Sequence, residues 1–220
     1  NMFLRCSSLM DINLANWNTS NAEDFYSMFN SCRALTQLNV SHFKTSKVTD
    51  MTNMFASCGK LKELNLNGWD FSKVFNADSM FAWCDILKRI VANFNFKVVN
   101  DISSMFDGCL ELDNIDLTNA DLSNVKDSSY MFFNCESLTD VSFNQTALAK
   151  IENISYMFYN CSSLNKIVIP NIDFSTVKCV KETFKCCNAL KEIYIKKLVG
   201  LRRIKKCEML KDCKAKICQL

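Results

Sequence analysis

The sequence predicts a repeat solenoid built of short parallel strands and short helical turns in about nine 26-residue coils. Three observations predict it. Cysteines recur at Cys6, Cys32, Cys58, Cys84, Cys109, Cys135, Cys161, Cys187 and Cys213, always 26 residues apart except for one interval of 25 between Cys84 and Cys109. Four residues before each stands a Met-Phe pair, from Met2-Phe3 and Met28-Phe29 to Met157-Phe158, drifting to Thr183-Phe184 and Met209-Leu210 in the last two copies. Three residues after each of the first eight stands a leucine: Leu9, Leu35, Leu61, Leu87, Leu112, Leu138, Leu164 and Leu190. A fixed period of this size belongs to arrays whose units pack only on their neighbours, so the period and not the length sets the structural unit.

Within the second copy, Met28, Phe29, Cys32 and Leu35 fall at i, i+1, i+4 and i+7, the spacing of one face of a short helix. Leu38 and Val40 then alternate with polar residues, the rhythm of a strand. An aromatic residue and a Thr-Ser pair follow, as in Phe43-Lys44-Thr45-Ser46, at positions suited to turns and to bonds between coils. Val48, Val74, Val99, Val125, Ile151 and Val177 mark a second short extended piece. Asp50 and Thr52, or Asp78 and Ser79, suit the start of the next helical turn. One coil cannot bury its own apolar side. Stacked at about 4.8 Å, nine would close a continuous core about 40 Å long.

The pattern predicts a repeat solenoid of eight coils over residues 1–207, a partial ninth repeat over 208–220, and a basic C-terminal cap region over 178–220. The fourth copy is one residue short at Ala92-Asn93-Phe94-Asn95-Phe96, so its corner must tighten or bulge. The sixth replaces the aromatic with Thr146. The eighth loses register over 198–204, and the ninth carries Lys216 and Gln219 where Leu and an aliphatic residue belong, a decay expected of a cap. The chain opens and closes on repeats and reads as a piece of something longer.

Four glycines and one proline in 220 residues exclude a flexible linker or a Pro-rich stalk. No apolar run is long enough to span a membrane as a helix. The formal net charge of +3 hides an asymmetry: residues 1–177 carry 13 Lys+Arg against 19 Asp+Glu, and residues 178–220 carry 13 against 4. The basic end is either a solubilising cap or a patch for an anionic partner, formed by Lys196, Lys197, Arg202, Arg203, Lys205 and Lys206. It lacks interleaved aromatics, so a nucleic-acid partner is not expected.

The ladder cysteines lack paired C-x₂-C knuckles and the chain has a single histidine, His42, so no metal site and no cofactor are expected. As disulfides, stacked ladder thiols would share one orientation and strain the bond. They are expected to be small buried fillers. Cys179, Cys186, Cys207 and Cys218 lie in the basic tail, where one local disulfide can form. His42 sits at a corner that is Gly68 or Asn119 in other copies and is expected to be a surface residue. No phosphate loop, acidic pair or Ser-His-Asp set appears, so no catalytic residue is expected and the chain is read as not an enzyme.

The unit M-F-x-x-C-x-x-L-x-x-L-x-L-x-x-[FW]-x-T-S-x-V-x-D-M resembles the BspA-like leucine-rich-repeat surface proteins. Its phrase Val48-Thr49-Asp50-Met51-Thr52-Asn53-Met54-Phe55-Ala56-Ser57-Cys58-Gly59-Lys60-Leu61 is similar to their mycoplasma-lipoprotein-type branch. The resemblance implies that the repeat solenoid is right-handed and leucine-rich-repeat-like, displayed at a cell surface or secreted, with adhesion to host surface or matrix proteins. Recognition is expected on the outward strand positions. These are Asp11, Asn13, Gln37, Asn39, Glu63, Asn65, Arg89, Val91, Asn114, Asp116, Asp140, Ser142, Lys166, Val168, Glu192 and Tyr194, whose chemistry varies while the core stays constant. Plain solvation of a half-buried strand would show the same alternation. The alternative is a cytoplasmic scaffold docking through its basic end. Open coil ends of unlike charge also allow end-to-end self-association.

Overall fold

Period, alternation and register decide the architecture. The structure, a computed structural model, describes residues 1–144, 148–169, 171–195, 200, 204 and 206–219, without the side chains of 206 and 207. Among these the chain winds as a solenoid with parallel strands β1 (Glu63–Asn65), β2 (Arg89–Val91), β3 (Asn114–Leu117), β4 (Asp140–Phe143), β5 (Lys166–Ile169), β6 (Glu192–Ile195) and β7 (Lys216–Gln219), and one short helix, α1 (Lys206–Met209). The strands pair in register as β1-β2, β3-β4 and β5-β6-β7. Among the described residues, regular strands thus mark seven coils against nine repeats in the sequence. The second extended piece is narrower still. It is a ladder of single bridges joining Asp24, Asp50, Asn76, Asp101, Asp127, Asn153 and Cys179.

The Met-Phe segment is not the helical turn its spacing suggests. Two residues per coil adopt left-handed backbone, one before the Met and one before the Cys: Ser27 and Ser31, Asn53 and Ser57, Ser79 and Trp83, Tyr130 and Asn134. An α-helix needs consecutive right-handed residues, so these positions break it. Alternate N–H groups point to the next coil instead. Phe25, Ser27, Phe29 and Ser31 donate to the carbonyls of Asp50, Thr52, Met54 and Ala56 at 3.0, 2.9, 2.9 and 2.7 Å. Met28, Asn30 and Cys32 donate three residues back along their own chain. Tyr26 donates to the Asp24 carboxylate. Every N–H from Phe25 to Cys32 is therefore satisfied without a helix. Asp50, Asn76, Asp101, Asp127 and Asn153 likewise accept from the N–H two residues on at 2.8–3.0 Å, closing Asx-turns where helix caps were expected.

The core is a set of side-chain columns. Phe29, Phe55, Phe81, Phe106, Phe132, Phe158 and Phe184 are 0–2% exposed and stack face to face along the solenoid with centroids 5.3–5.9 Å apart. The ladder cysteines are more than fillers. Cys58, Cys84, Cys109, Cys135, Cys161 and Cys187 each donate from Sγ to the Phe carbonyl of the coil before, at 2.9–3.3 Å. That carbonyl also accepts the Cys N–H of its own coil, as Phe29 does from Cys32. The thiol thus fills an apolar slot and the second lone pair of a buried carbonyl together. The corner threonines also bridge coils through backbone instead of forming ladders of like residues. Thr45 Oγ1 donates to the Asp70 carbonyl at 3.0 Å and accepts from the Asp70 N–H at 2.7 Å.

Of the two outcomes open to the short fourth copy, its corner tightens. Asn95 N–H donates to the Asn93 carbonyl at 2.8 Å, a three-residue turn that leaves Phe94 and Phe96 both buried. The ninth copy is corrected by two residues. The 26-residue period puts Lys216 on a core leucine position, but β7 pairs Lys216 with outward Glu192 and Ile217 with inward Ile193. A slip of an even number keeps apolar residues inward and spares the burial of an ammonium. Thr146 and most of the segment 198–204 lie outside the described residues.

Candidate functional site

The strand face follows from period-2 alternation. Leu64, Ile115, Val141, Ile167 and Ile193 point into the core, so their neighbours point out. Asp11, Asn13, Gln37, Asn39, Glu63, Asn65, Arg89, Val91, Asn114, Asp116, Asp140, Lys166 and Val168 are all exposed. Ser142, Glu192 and Tyr194 are half-buried, and Tyr194 donates its hydroxyl to Glu192 Oε2 at 2.9 Å. Between coils one and four the face holds a shallow open depression of about 900 Å³, which Asp11, Gln37, Asn39, Glu63, Asn65 and Arg89 help line.

Register sorts the charges of this face. Glu63 stands opposite Arg89, and Glu192 stands between Lys166 and Lys216. Between β3 and β4 no charge faces its opposite. Asp116 stands beside Ser142, and Asp140 beside Asn114. Residues 101–140 as a whole contain nine carboxylates and one lysine.

Of the basic group, Lys196, Lys197, Arg202, Arg203 and Lys205 lie outside the described residues, and Lys206 opens α1 with its side chain undescribed. Nearby, Glu182 pairs with Lys185 and Lys211, each at 3.0 Å, which holds its carboxyl below the usual range. No group of three or more His, Cys, Asp or Glu side chains is arranged to hold a metal ion among the described residues. His42 is half-buried, with Nε2 at 2.9 Å from the Leu14 carbonyl. Burial pushes the thiols of Cys32 to about 11 and Cys187 to about 12, and those of Cys58, Cys84, Cys109, Cys135 and Cys161 well above the usual range, so these seven stay protonated and unreactive at neutral pH.

A second surface, not anticipated from the repeat pattern, lies along the Met-Phe turns. Tyr130 stacks on Tyr156 and Phe133 on Tyr159, each with centroids 4.7 Å apart. The two columns touch, with Tyr130 and Phe133 at 5.4 Å. Lys181 and Lys185 close them at the C-terminal side, each ammonium 5.5 Å from the ring of Tyr156 or Tyr159. The residue ahead of Phe133 in its column is Asp107, 9% exposed, with Oδ1 buried and without a hydrogen-bond partner. Burial pushes its carboxyl up to about 7. Next to it Gly108 lies beneath the Trp83 ring, which is 51% exposed; a Cβ on Gly108 would meet that ring at 2.9 Å. The signal in the sequence is a set of aromatics recurring at 26 residues in two turn positions. The constant Met-Phe pair beside them masks it.

Three solved structures show some similarity to the chain. A leucine-rich repeat protein from Eubacterium ventriosum is 18% identical, with a TM-score of 0.44 over 78% of this chain and 55% of that one. A leucine rich cell surface protein from Faecalibacterium prausnitzii is 16% identical, with a TM-score of 0.33 over 88% of this chain and 68% of that one. A leucine-rich repeat protein from Bacteroides ovatus is 21% identical, with a TM-score of 0.33 over 89% of this chain and 62% of that one. This chain spans little more than half of the first of these proteins. No curated protein matches it. A family model described as "Mycoplasma protein of unknown function, DUF285" matches residues 1–90 and 84–197, in line with the resemblance to the mycoplasma-type branch of the BspA-like leucine-rich-repeat proteins. With nearly all of its repeats inside that match, the chain belongs to the DUF285 family.

Proposed function

We propose that the chain is a non-catalytic protein-binding module of a cell-surface or secreted protein, recognising host surface or matrix proteins through its strand face in the manner of an adhesin. The observation that carries this reading is the contrast between the two sides of each strand. Inward positions stay apolar from coil to coil, while one outward column changes from Glu63 to Arg89, Asn114, Asp140, Lys166 and Glu192. A solenoid core needs the first kind of position to be constant, and nothing in its packing requires the second to vary. The acidic stretch at coils five and six favours a partner with a complementary basic surface. No helix among the described residues is long and apolar enough to cross a membrane, so display would depend on other parts of the protein or on another attachment. Residues 178–220 serve in this reading as a cap.

The test is binding of the chain to immobilised matrix proteins and to host-cell surfaces, against a variant carrying Gln37→Lys, Glu63→Lys, Asp116→Lys and Asp140→Lys. Loss of a wild-type partner in a folded variant supports the strand face. Unchanged binding moves recognition off that face. Selective capture of cytoplasmic proteins supports a scaffold docking through its basic end.

A further inference from the structure

The repeat does not require the carboxylate of Asp107. The same column of the turn face holds Ala56 and Ala82 in the two preceding coils, both buried, so a methyl group satisfies the position. A carboxylate there leaves Oδ1 buried without a donor. Such a group costs stability that an alanine would not. A buried polar atom without a partner, where the repeat offers an apolar alternative, calls for a partner from outside.

Its surroundings state the chemistry of that partner. Trp83 is a large, half-exposed indole in a left-handed backbone position that Ser31 and Ser57 occupy in earlier coils, and its ring lies over Gly108 beside Asp107. Tyr130, 37% exposed, begins one aromatic column, and Phe133, directly after Asp107 in the other, begins the second. The far end of both columns is closed by the chain's own ammonium groups on Lys181 and Lys185. At the near end Arg33 and Lys60 share a depression with Trp83, and Lys181 acts on Tyr130 from farther along, but Asp107 Oδ1 has no donor. The stretch 101–140 contributes one lysine, Lys126, against nine carboxylates.

We infer that the notch formed by Trp83, Asp107, Gly108, Tyr130 and Phe133 receives an arginine side chain of a protein partner. A guanidinium is planar and stacks on aromatic rings, presents several N–H donors to a carboxylate, and is weakly hydrated enough to be buried with one. It supplies a cationic cap for the near end of the rings and a donor for Asp107 Oδ1 together. Lysine's ammonium has the charge without the plane. A sugar ring also stacks and its hydroxyls donate to a carboxylate, but it brings no charge to neutralise one. This surface is separate from the strand face, and its occupation does not depend on recognition there.

The test uses the full chain, with N-acetylarginine amide as probe and N-acetylcitrulline amide as its uncharged isostere, followed by NMR on the three tryptophan indole N–H signals. Trp83→Ser identifies its own signal. Asp107→Ala, which restores the side chain that Ala56 and Ala82 carry at this position, is the diagnostic variant, with circular dichroism to show that it is folded. Arginine amide is expected to shift the Trp83 signal saturably, with a dissociation constant on the order of 1 mM. The citrulline compound and the Asp107→Ala chain are each expected to bind at least about tenfold more weakly, as loss of a charge-assisted bond requires. Equal binding by citrulline, equal binding by Asp107→Ala, or no saturable shift at Trp83 would each overturn the assignment. Tighter saturable binding of a neutral methyl glycoside than of arginine amide would overturn it in favour of a sugar platform.

Discussion

Cys84 shows how much one side chain does in a periodic core. It is fully buried and donates to the Phe55 carbonyl at 3.1 Å, an interaction that recurs coil after coil. Cys84→Ala keeps most of the volume and removes the donor, and is expected to cost about 1–2 kcal/mol, read from the urea midpoint. Iodoacetamide applied to the native chain should label exposed Cys179 and spare Cys58, Cys84, Cys109, Cys135 and Cys161 until denaturant is added, as peptide mass spectrometry would report. Asp107 acts in the opposite direction. Its carboxyl sits at about 7 when folded, above the unfolded value of about 3.9. The folded chain therefore takes up a proton as pH falls, and this residue's penalty is full above pH 7 and fades as pH drops from 7 towards 4. Asp107→Ala should raise the melting temperature at about pH 8 and gain little at about pH 5. A larger gain at the lower pH would contradict the burial of an ionised group.

The turn segment is the element whose form departs most from its pattern. Its spacing of Met, Phe, Cys and Leu matches a helix face, yet left-handed residues and coil-to-coil bonds make it a ladder of tight turns. Strain at such residues persists only where the surroundings hold it, and here the next coil does so. Gly108 tests which constraint matters. Serine, asparagine and tryptophan take the same left-handed conformation at its equivalents, so backbone freedom alone does not demand glycine. The Trp83 ring at 2.9 Å does. Gly108→Ala should cost about 1–2 kcal/mol in the wild-type chain. In a Trp83→Ser background the cost should fall by about 1 kcal/mol, a coupling that a double-mutant cycle measures.

Across the whole molecule each coil leans on its two neighbours, and most tertiary contacts join residues far apart in sequence. Contacts of this kind in a solenoid are nearest-neighbour terms, so stability depends on unbroken stacking. Phe132 stacks on Phe106 and Phe158 at 5.3 Å on either side. Phe132→Ala should cost about 3–5 kcal/mol. Hydrogen exchange should show the loss concentrated in the Phe106, Phe132 and Phe158 coils and weaker towards both ends. Uniform loss along the chain would mean that the array behaves as one cooperative unit.

The sequence by itself determined the period, the parallel stacking, the inward and outward residues of β1 to β6 and a corner at Ala92–Phe96 that had to tighten or bulge, because all of these follow from which residues are apolar and how often they recur. It also held the Tyr130, Phe133, Tyr156 and Tyr159 columns in plain spacing. Only the tertiary structure decided the rest. The conformation of the Met-Phe turn depends on bonds to the neighbouring coil, the role of the cysteines on a carbonyl in the coil before, and the two-residue slip of β7 on keeping Lys216 out of the core. The buried solitude of Asp107 likewise exists only once coils are stacked, since its sequence neighbours alone neither bury a carboxylate nor withhold a partner from it.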